Sequence, residues 1–121
     1  MTLNVLAIDD SRTMRTMLEY ALKEEGFEVC LAEDGQQGLD ALKGFSPDVV
    51  VTDLNMPVMD GFGVIDGVRK HDVFGSIPVL VLTTESAPEL KQRARTAGAT
   101  GWIVKPFDKV KLANAIRRVA A

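Results

Sequence analysis

Val49-Val50-Val51-Thr52-Asp53, near the middle of this 121-residue sequence, joins a run of β-branched residues to a carboxylate. Apolar residues at consecutive rather than alternate positions are typical of a strand that is covered on both faces of a sheet. Comparable short apolar runs occupy residues 3–8, 27–32, 78–82 and 102–104. The sequence therefore predicts five strands, of which residues 49–52 form the third.

Segments of helical periodicity separate these strands. Ser11 is placed to cap the first helix, while Gly26 and Gly98 are placed to end the first and the fourth. The apolar stripes of the five helices are Met14, Met17, Leu18, Ala21 and Leu22; Leu39 and Leu42; Phe62, Ile65 and Val68; Leu90, Ala94 and Ala97; and Leu112, Ala113, Ile116 and Val119. This alternation predicts one α/β domain over residues 1–121, with a doubly wound parallel sheet and five helices. For its five strands we expect the flavodoxin-like order 2-1-3-4-5.

Charge is distributed unevenly along the chain. The 14 basic and 17 acidic residues give a net charge of −3, which argues against binding to nucleic acid or to an acidic membrane surface. Residues 1–60 hold twelve acids and four bases, whereas residues 61–121 hold five acids and ten bases. The two halves therefore carry net charges of −8 and +5, and a function has to account for this difference.

Cysteine content and hydropathy exclude several classes of protein. Cys30 is the single cysteine, so there is no internal disulfide and no multi-cysteine zinc site, and its apolar surroundings predict a buried structural thiol. The N-terminus lacks the basic region of a signal peptide, and no stretch reaches the roughly 18 apolar residues of a membrane span. We expect a cytoplasmic protein.

The residues that follow the predicted strands suit one kind of chemistry. Asp9 and Asp10 follow the first strand, Asp53 the third, Thr83 the fourth and Lys105 the fifth. Since strands one and three are neighbours in the predicted order, three carboxylates meet, and their mutual repulsion calls for a cation. Oxygen ligands without His or Cys favour a hard ion such as Mg2+.

Lys105 and Thr83 extend this cluster beyond a metal site. A carboxylate beside a divalent cation, an ammonium and a hydroxyl donor has what phosphoryl transfer requires. Asp53 is the expected nucleophile because it stands alone at its strand end. Each element also has a plainer interpretation, since an Asp pair after a strand commonly caps a turn or helix. The conjunction at four strand ends favours the phosphoryl site.

Several motifs together resemble the receiver domain of two-component response regulators. They are Asp9-Asp10-Ser11 with Met14-Arg15, Glu33-Asp34-Gly35, the block from Asp53 to Gly61, Thr83, and Lys105-Pro106-Phe107. The resemblance implies that Asp53 accepts a phosphoryl group from a histidine kinase, and that Asp9, Asp10, Asp53 and the Asn55 carbonyl hold Mg2+. It further implies that Lys105 and Thr83 contact the phosphoryl oxygens and that the Lys105-Pro106 bond is cis. The protein would then be a phosphoacceptor that dephosphorylates itself, not a turnover enzyme.

Within that family the sequence is most similar to the stand-alone chemotaxis regulators. The pairing of Asn55 with Glu85 carries this likeness and implies tuning of autodephosphorylation. Trp102 stands where tyrosine is usual, which puts the switching of that aromatic side chain in question. An output face is expected on helix four, strand five and helix five, with Trp102, Lys91, Arg95 and Lys109. The implied partners are a CheA-type sensor histidine kinase and the flagellar motor switch or another protein target, bound by a monomer without an output domain.

Other functions remain open at this stage. A phosphorelay intermediate or a phosphate-sink receiver would share the fold and the site, and would differ in the lifetime of the phosphoaspartate. An aspartyl-phosphate phosphatase of the haloacid dehalogenase type is disfavoured because its nucleophile follows the first strand. A flavodoxin-like FMN binder is disfavoured because no phosphate-binding loop follows strand one.

Overall fold

The computed structural model describes residues 2–121, which form five parallel strands and five helices in strict alternation. The strands are β1 (Asn4–Ile8), β2 (Glu28–Ala32), β3 (Val49–Thr52), β4 (Val79–Thr83) and β5 (Gly101–Val104). The helices are α1 (Arg12–Glu24), α2 (Gly35–Phe45), α3 (Gly61–Arg69), α4 (Pro88–Ala97) and α5 (Lys109–Ala120). The sheet order is β2-β1-β3-β4-β5, which confirms the predicted doubly wound fold.

Burial distinguishes the inner strands from the edges of the sheet. Every residue of β3 and β4 is buried, as is β1 from Val5 onward, which explains their uninterrupted apolar sequences. The edge strands β2 and β5 are largely half-buried. Cys30 lies on β2 and is therefore half-buried, not fully buried as predicted. Partial burial raises the pKa of its thiol, which disfavours the reactive thiolate.

Two apolar layers cover the sheet. Helices α1 and α5 bury Leu18, Leu22, Leu112 and Ile116 against one face. Helices α2, α3 and α4 pack on the other face, where α4 contributes Ala94 as its buried residue. Burial of a leucine or isoleucine stabilises the fold by about 1.5–3 kcal/mol, so α4 is held to the sheet more weakly than the other helices. No helix in the described part of the chain is long and apolar enough to cross a membrane.

Side-chain caps begin four of the described helices. Ser11, as predicted, accepts a hydrogen bond from the Met14 N–H at 3.2 Å. Three aspartates do the same for the other capped helices, namely Asp34 for α2, Asp60 for α3 and Asp108 for α5. Helix α4 instead begins at Pro88 behind Ala87, without a side-chain cap. It ends at Gly98, whose φ of 116° is the left-handed conformation that favours glycine.

Candidate functional site

Strand register determines which side chains meet at the carboxyl edge of the sheet. Ile8 pairs with Thr52, so Asp9 and Asp53 leave neighbouring strands at the same level. The backbone ladder continues one residue further, because the Asp53 N–H donates to the Ile8 carbonyl at 2.9 Å. On the other side of β4, the Lys105 N–H donates to the carbonyl of Thr83 at 2.8 Å. The register therefore brings the predicted residues of four strands to one edge.

The ammonium of Lys105 lies between two carboxylates. Its Nζ is 2.8 Å from Asp9 Oδ2 and 3.1 Å from Asp53 Oδ2. The Asp9 side chain is 1% exposed and the other two side chains are 12% exposed or less. Each aspartate also accepts a backbone hydrogen bond on Oδ1, Asp9 from Ser11 and Asp53 from Leu54. The low exposure makes these interactions stronger than those of a surface ion pair.

Burial and partners act on the pKa of Lys105 in opposite directions. Desolvation, the largest single effect, would lower the pKa of this ammonium. Hydrogen bonds to Asp9 and Asp53 and the charges of those carboxylates act together against it, and the pKa of Lys105 is raised above its ordinary value. The lysine is therefore held in its charged form at neutral pH.

Asp10 completes an acidic cluster that fits a divalent cation. One carboxylate oxygen from each of Asp9, Asp10 and Asp53 lies within 4.8 Å of the others. Asp9 is buried, Asp53 is half-buried and Asp10 is exposed, so the cluster opens to solvent on one side. An all-oxygen donor set with an open side suits Mg2+, which prefers carboxylates and retains several waters.

Polar residues from two loops border the same cluster. The Asn55 side-chain amide donates to Glu85 Oε1 at 3.1 Å, which joins the β3–α3 loop to the β4–α4 loop. The Glu85 N–H in turn donates to Thr83 Oγ1 at 3.3 Å. The Thr83 side chain is fully buried at the end of β4. The residues predicted at the strand ends therefore form one connected region.

Comparison with known proteins identifies the family that shares this arrangement. The family model described as the response regulator receiver domain matches residues 5–117. This chain belongs to the response regulator receiver family. Receiver domains bind Mg2+ at an acidic pocket, which corresponds here to the cluster of Asp9, Asp10 and Asp53. They are typically phosphoacceptors that interact with histidine kinases and with downstream targets.

Similar receivers occur in proteins with different outputs. Chemotaxis protein CheY4 of Vibrio cholerae has 42% sequence identity and a TM-score of 0.93, with 98% of this chain and 99% of that chain covered. Transcriptional regulatory protein PrrA of Mycobacterium tuberculosis is 38% identical over 117 residues, covering 97% of this chain and 48% of PrrA. The chain thus spans about half the length of the curated relatives it matches. The fold is also shared by the receiver of sensor histidine kinase PA1611 from Pseudomonas aeruginosa, with 23% identity, a TM-score of 0.90, and 99% of this chain and 98% of that chain covered. That receiver has magnesium in its active-site cleft.

Two supporting residues of the receiver site had no role assigned from sequence. Arg15 of α1 donates from Nη1 to the Asp9 carbonyl at 2.8 Å and so fixes the backbone that carries the two adjacent aspartates. Gly61, the first residue of α3, leaves room for the β3–α3 loop, since a Cβ atom there would lie 2.5 Å from the Asp53 carbonyl oxygen. The sequence features that could have indicated these roles are a basic residue one turn into α1, which is Arg15, and a glycine directly after Asp60, which is Gly61. The Lys105–Pro106 peptide bond is cis, as the resemblance implied.

The residues expected on the output face of the receiver separate into two groups. Trp102 lines a small cleft together with Lys91 and Arg95 of α4, and its indole N–H donates to the Glu85 carbonyl at 3.1 Å. Lys109 points elsewhere, because its Nζ lies 2.7 Å from Glu24 Oε1 on α1. The hydrogen bond to Glu24, opposed by desolvation, raises the pKa of Lys109. Of the three predicted cations, the structure therefore brings two to the cleft beside Trp102.

Proposed function

We propose that this protein is a phosphorylation-switched binding module in which Asp53 accepts a phosphoryl group from a sensor histidine kinase. The observation that carries the proposal is the short bridge from Lys105 to both Asp9 and Asp53 in a nearly buried site. The bridge holds a cation beside the expected nucleophile. The third carboxylate, Asp10, gives the site the donor set for a divalent ion.

In the proposed reaction a carboxylate oxygen of Asp53 attacks the phosphorus of a phosphohistidine. An O–P bond forms, the N–P bond to the imidazole breaks, and the electron pair of that bond returns to the imidazole nitrogen. Asp9, Asp10, Asp53 and the Asn55 carbonyl would hold Mg2+, which when bound offsets the negative charge of the carboxylates and of the phosphoryl group. Lys105 would exchange its bond to Asp53 for one to a phosphoryl oxygen.

Thr83 would transmit the modification to the surface. Its hydroxyl accepts a hydrogen bond from the Glu85 N–H. If the hydroxyl turned to donate to a new phosphoryl oxygen, the β4–α4 loop would shift with it. The same loop accepts the indole hydrogen bond of Trp102, so a loop shift changes the cleft that Trp102 forms with Lys91 and Arg95. This cationic and aromatic cleft suits an acidic or amphipathic segment of a protein partner.

We further propose a role in chemotaxis, with a CheA-type kinase as donor and the flagellar motor switch as target. Support comes from the 42% identity with CheY4 over nearly the full length of both chains. Asn55 and Glu85, which hydrogen-bond to each other at 3.1 Å, are the residues proposed to tune autodephosphorylation. Cytoplasmic location and a monomeric state stay predictions. The match to PrrA makes transcriptional output the alternative to test.

Phosphotransfer provides the first test. Radiolabel should pass from a phosphorylated histidine kinase to the wild-type protein with Mg2+ present, and Asp53→Asn should take up none. Asp40→Asn is the matched control, because this exposed carboxylate on α2 accepts a hydrogen bond from the neighbouring Gln36 and lies outside the acidic cluster. Equal labelling of Asp53→Asn and wild type would refute the assignment. A phosphoaspartate lifetime of hours would favour a phosphorelay intermediate over a chemotaxis regulator.

Binding to the motor switch provides the second test. Beryllofluoride, a phosphoryl mimic, should tighten binding of the purified switch protein to the wild-type chain. Lys91→Glu and Arg95→Glu should each weaken that complex, whereas Lys43→Glu on α2 should leave it unchanged because α2 lies away from the proposed cleft. Absence of binding in both states would refute the motor target while leaving the phosphoacceptor assignment intact.

A further inference from the structure

Helix α4 is attached to the rest of the protein very differently at its two ends. Its N-terminal end follows Ala87 without a side-chain cap, and Ala94 is its buried residue. Its C-terminal end is gripped by Arg69, the last residue of α3. Apolar packing along α4 comes from Ala94 and from the half-buried Leu90, so the hydrogen bonds of Arg69 contribute substantially to the position of its C-terminal end.

Arg69 holds this end through backbone carbonyls. Its Nε and Nη2 donate to the Gly98 carbonyl at 3.0 and 2.7 Å. Its Nη1 donates to the carbonyls of Gly75, at 3.1 Å, and Ile77, in the segment that leads into β4. Burial lowers the pKa of Arg69, yet a guanidinium stays protonated in proteins. One planar cation thereby joins the end of α3, the start of β4 and the end of α4.

Gly98 is suited to this contact in two ways. Its φ of 116° lies in the left-handed region that ends the helix. A Cβ atom at this position would lie 2.8 Å from Arg69 Nε, so only glycine lets the guanidinium approach. The Gly98 carbonyl also lies at the negative end of the helix dipole, where a cation is favourable. Backbone conformation, side-chain space and charge therefore all favour the hydrogen bonds from Arg69 to the Gly98 carbonyl.

We propose that Arg69 is a positioning residue that fixes the C-terminal end of α4, so that a displaced β4–α4 loop turns the helix about Gly98 instead of translating it. The loop end is linked to the phosphoacceptor region, since Glu85 contacts Asn55, Thr83 and Trp102. Movement at that end is then greatest near Pro88 and smallest at Gly98. Lys91, closer to the moving end, shifts more than Arg95.

Helix α4 also makes a cation–π contact with α3. The Arg93 guanidinium lies 3.8 Å from the centroid of the Phe62 ring on α3. Arg93 is exposed, and an exposed cation–π contact is weak and tolerates displacement of a long side chain. The Arg69 grip has several donors and half-buried partners, so it is the stronger of the two restraints.

Amide hydrogen exchange of the ligand-free protein tests whether Arg69 holds the C-terminal end of α4 in place. The informative amides are those of Gly98 and Ala99, which both donate to the Ala94 carbonyl. In Arg69→Met we expect these amides to exchange about 10- to 100-fold faster, as loss of a charge-assisted hydrogen bond allows. Lys70→Met is the matched control, because this neighbouring cation, which directly follows α3, pairs with the exposed Asp66 of that helix. Arg69→Lys, which keeps the charge without the planar fork, should be intermediate and provides a milder variant if the methionine variant unfolds.

The pivot is tested with beryllofluoride and Mg2+, and this arm rests on the proposed function. Binding is followed by the fluorescence of Trp102, the single tryptophan. In wild type, amide exchange should change at residues 89–92, which follow Pro88, and stay constant at Gly98 and Ala99, whereas in Arg69→Met both ends should respond. Equal responses at both ends of wild-type α4, or no response in a protein that binds beryllofluoride, would overturn the pivot. Failure of the mimic to bind would instead refute the phosphoacceptor assignment, and the ligand-free exchange would still decide the role of Arg69.

Discussion

Removal of the Lys105 ammonium should destabilise the protein because it leaves two nearly buried carboxylates facing each other. Lys105→Met keeps a long unbranched side chain but loses both hydrogen bonds, to Asp9 at 2.8 Å and to Asp53 at 3.1 Å. Loss of one partner of a buried ion pair costs about 3–5 kcal/mol. We expect a loss of this size in the free energy of unfolding at pH 7 without Mg2+.

Repulsion between the carboxylates predicts how this loss depends on Asp9. Oxygens of Asp9 and Asp53 lie within 4.8 Å of each other, which corresponds to about 3.5 kcal/mol or more of repulsion at an effective dielectric of 20. Asp9→Asn removes that repulsion together with one bond of Lys105. In the Asp9→Asn background, Lys105→Met should therefore cost at least about 2 kcal/mol less than in wild type.

Urea unfolding followed by far-UV circular dichroism, with EDTA present, measures this double-mutant cycle. The control cycle uses Lys70→Met and Asp66→Asn, whose exposed side chains form an ion pair of 3.0 Å at the C-terminal end of α3. That surface pair should couple by about 0.3–0.5 kcal/mol and lose its coupling in 1 M salt, whereas the buried pair should retain most of it. Equal costs of Lys105→Met in both backgrounds, to within about 0.5 kcal/mol, would refute the electrostatic account of the site.

The pKa of Lys105 is raised in the folded protein, so its charge stabilises the fold fully at any pH below the unfolded lysine pKa of about 10.4. This stabilisation is lost only as pH rises through the higher folded pKa. The urea midpoints of wild type and Lys105→Met should therefore converge only in strong alkali. Val58 is 82% exposed and has a φ of 70°, which is strained for a β-branched residue. Asparagine tolerates this left-handed conformation better, so Val58→Asn should stabilise the protein by about 1 kcal/mol in thermal unfolding. Val110→Asn, on helix α5, should not. Gly61→Ala should destabilise the protein by more than about 1 kcal/mol, because its Cβ would lie 2.5 Å from a backbone carbonyl oxygen. Gly44→Ala, whose Cβ would meet nothing within 4 Å, should stabilise α2 by about 0.5–1 kcal/mol in the same measurement. Stabilisation by Gly61→Ala would refute the steric reasoning.

The sheet could be predicted from sequence because its strands are short apolar runs separated by helical stripes. Strand boundaries shifted by a residue or so; β4, for example, was predicted at 78–82 and extends over Val79–Thr83. Convergence of Asp9, Asp53 and Lys105 was also predictable, since parallel strands place their carboxyl ends at one edge and strand order determines the neighbours. These predictions depend on backbone direction and periodicity, which the residue pattern encodes locally.

Side-chain direction on the outer helix faces could not be obtained in the same way. Lys109 was expected beside Lys91 and Arg95, but it pairs with Glu24, because the first turn of α5 lies against α1. The grip of Arg69 on the Gly98 carbonyl joins residues 29 positions apart, and nothing in their local sequences indicates the contact. Cys30 was misjudged for a related reason, since an apolar run does not reveal that its strand lies at the edge of the sheet.

The order of the strands brings part of the uneven charge along the chain to one site. The carboxylates come from β1 and β3, which are neighbours and belong to the acidic half of the sequence. Their cation comes from beyond β5, and β4 lies between, so the axes of β5 and β3 are about two strand spacings apart, roughly 9.6 Å. A long flexible side chain such as that of Lys105 is needed to span that distance. The site therefore requires the complete sheet, because without β5 the buried Asp9 and the half-buried Asp53 would lose the cation that lies between them.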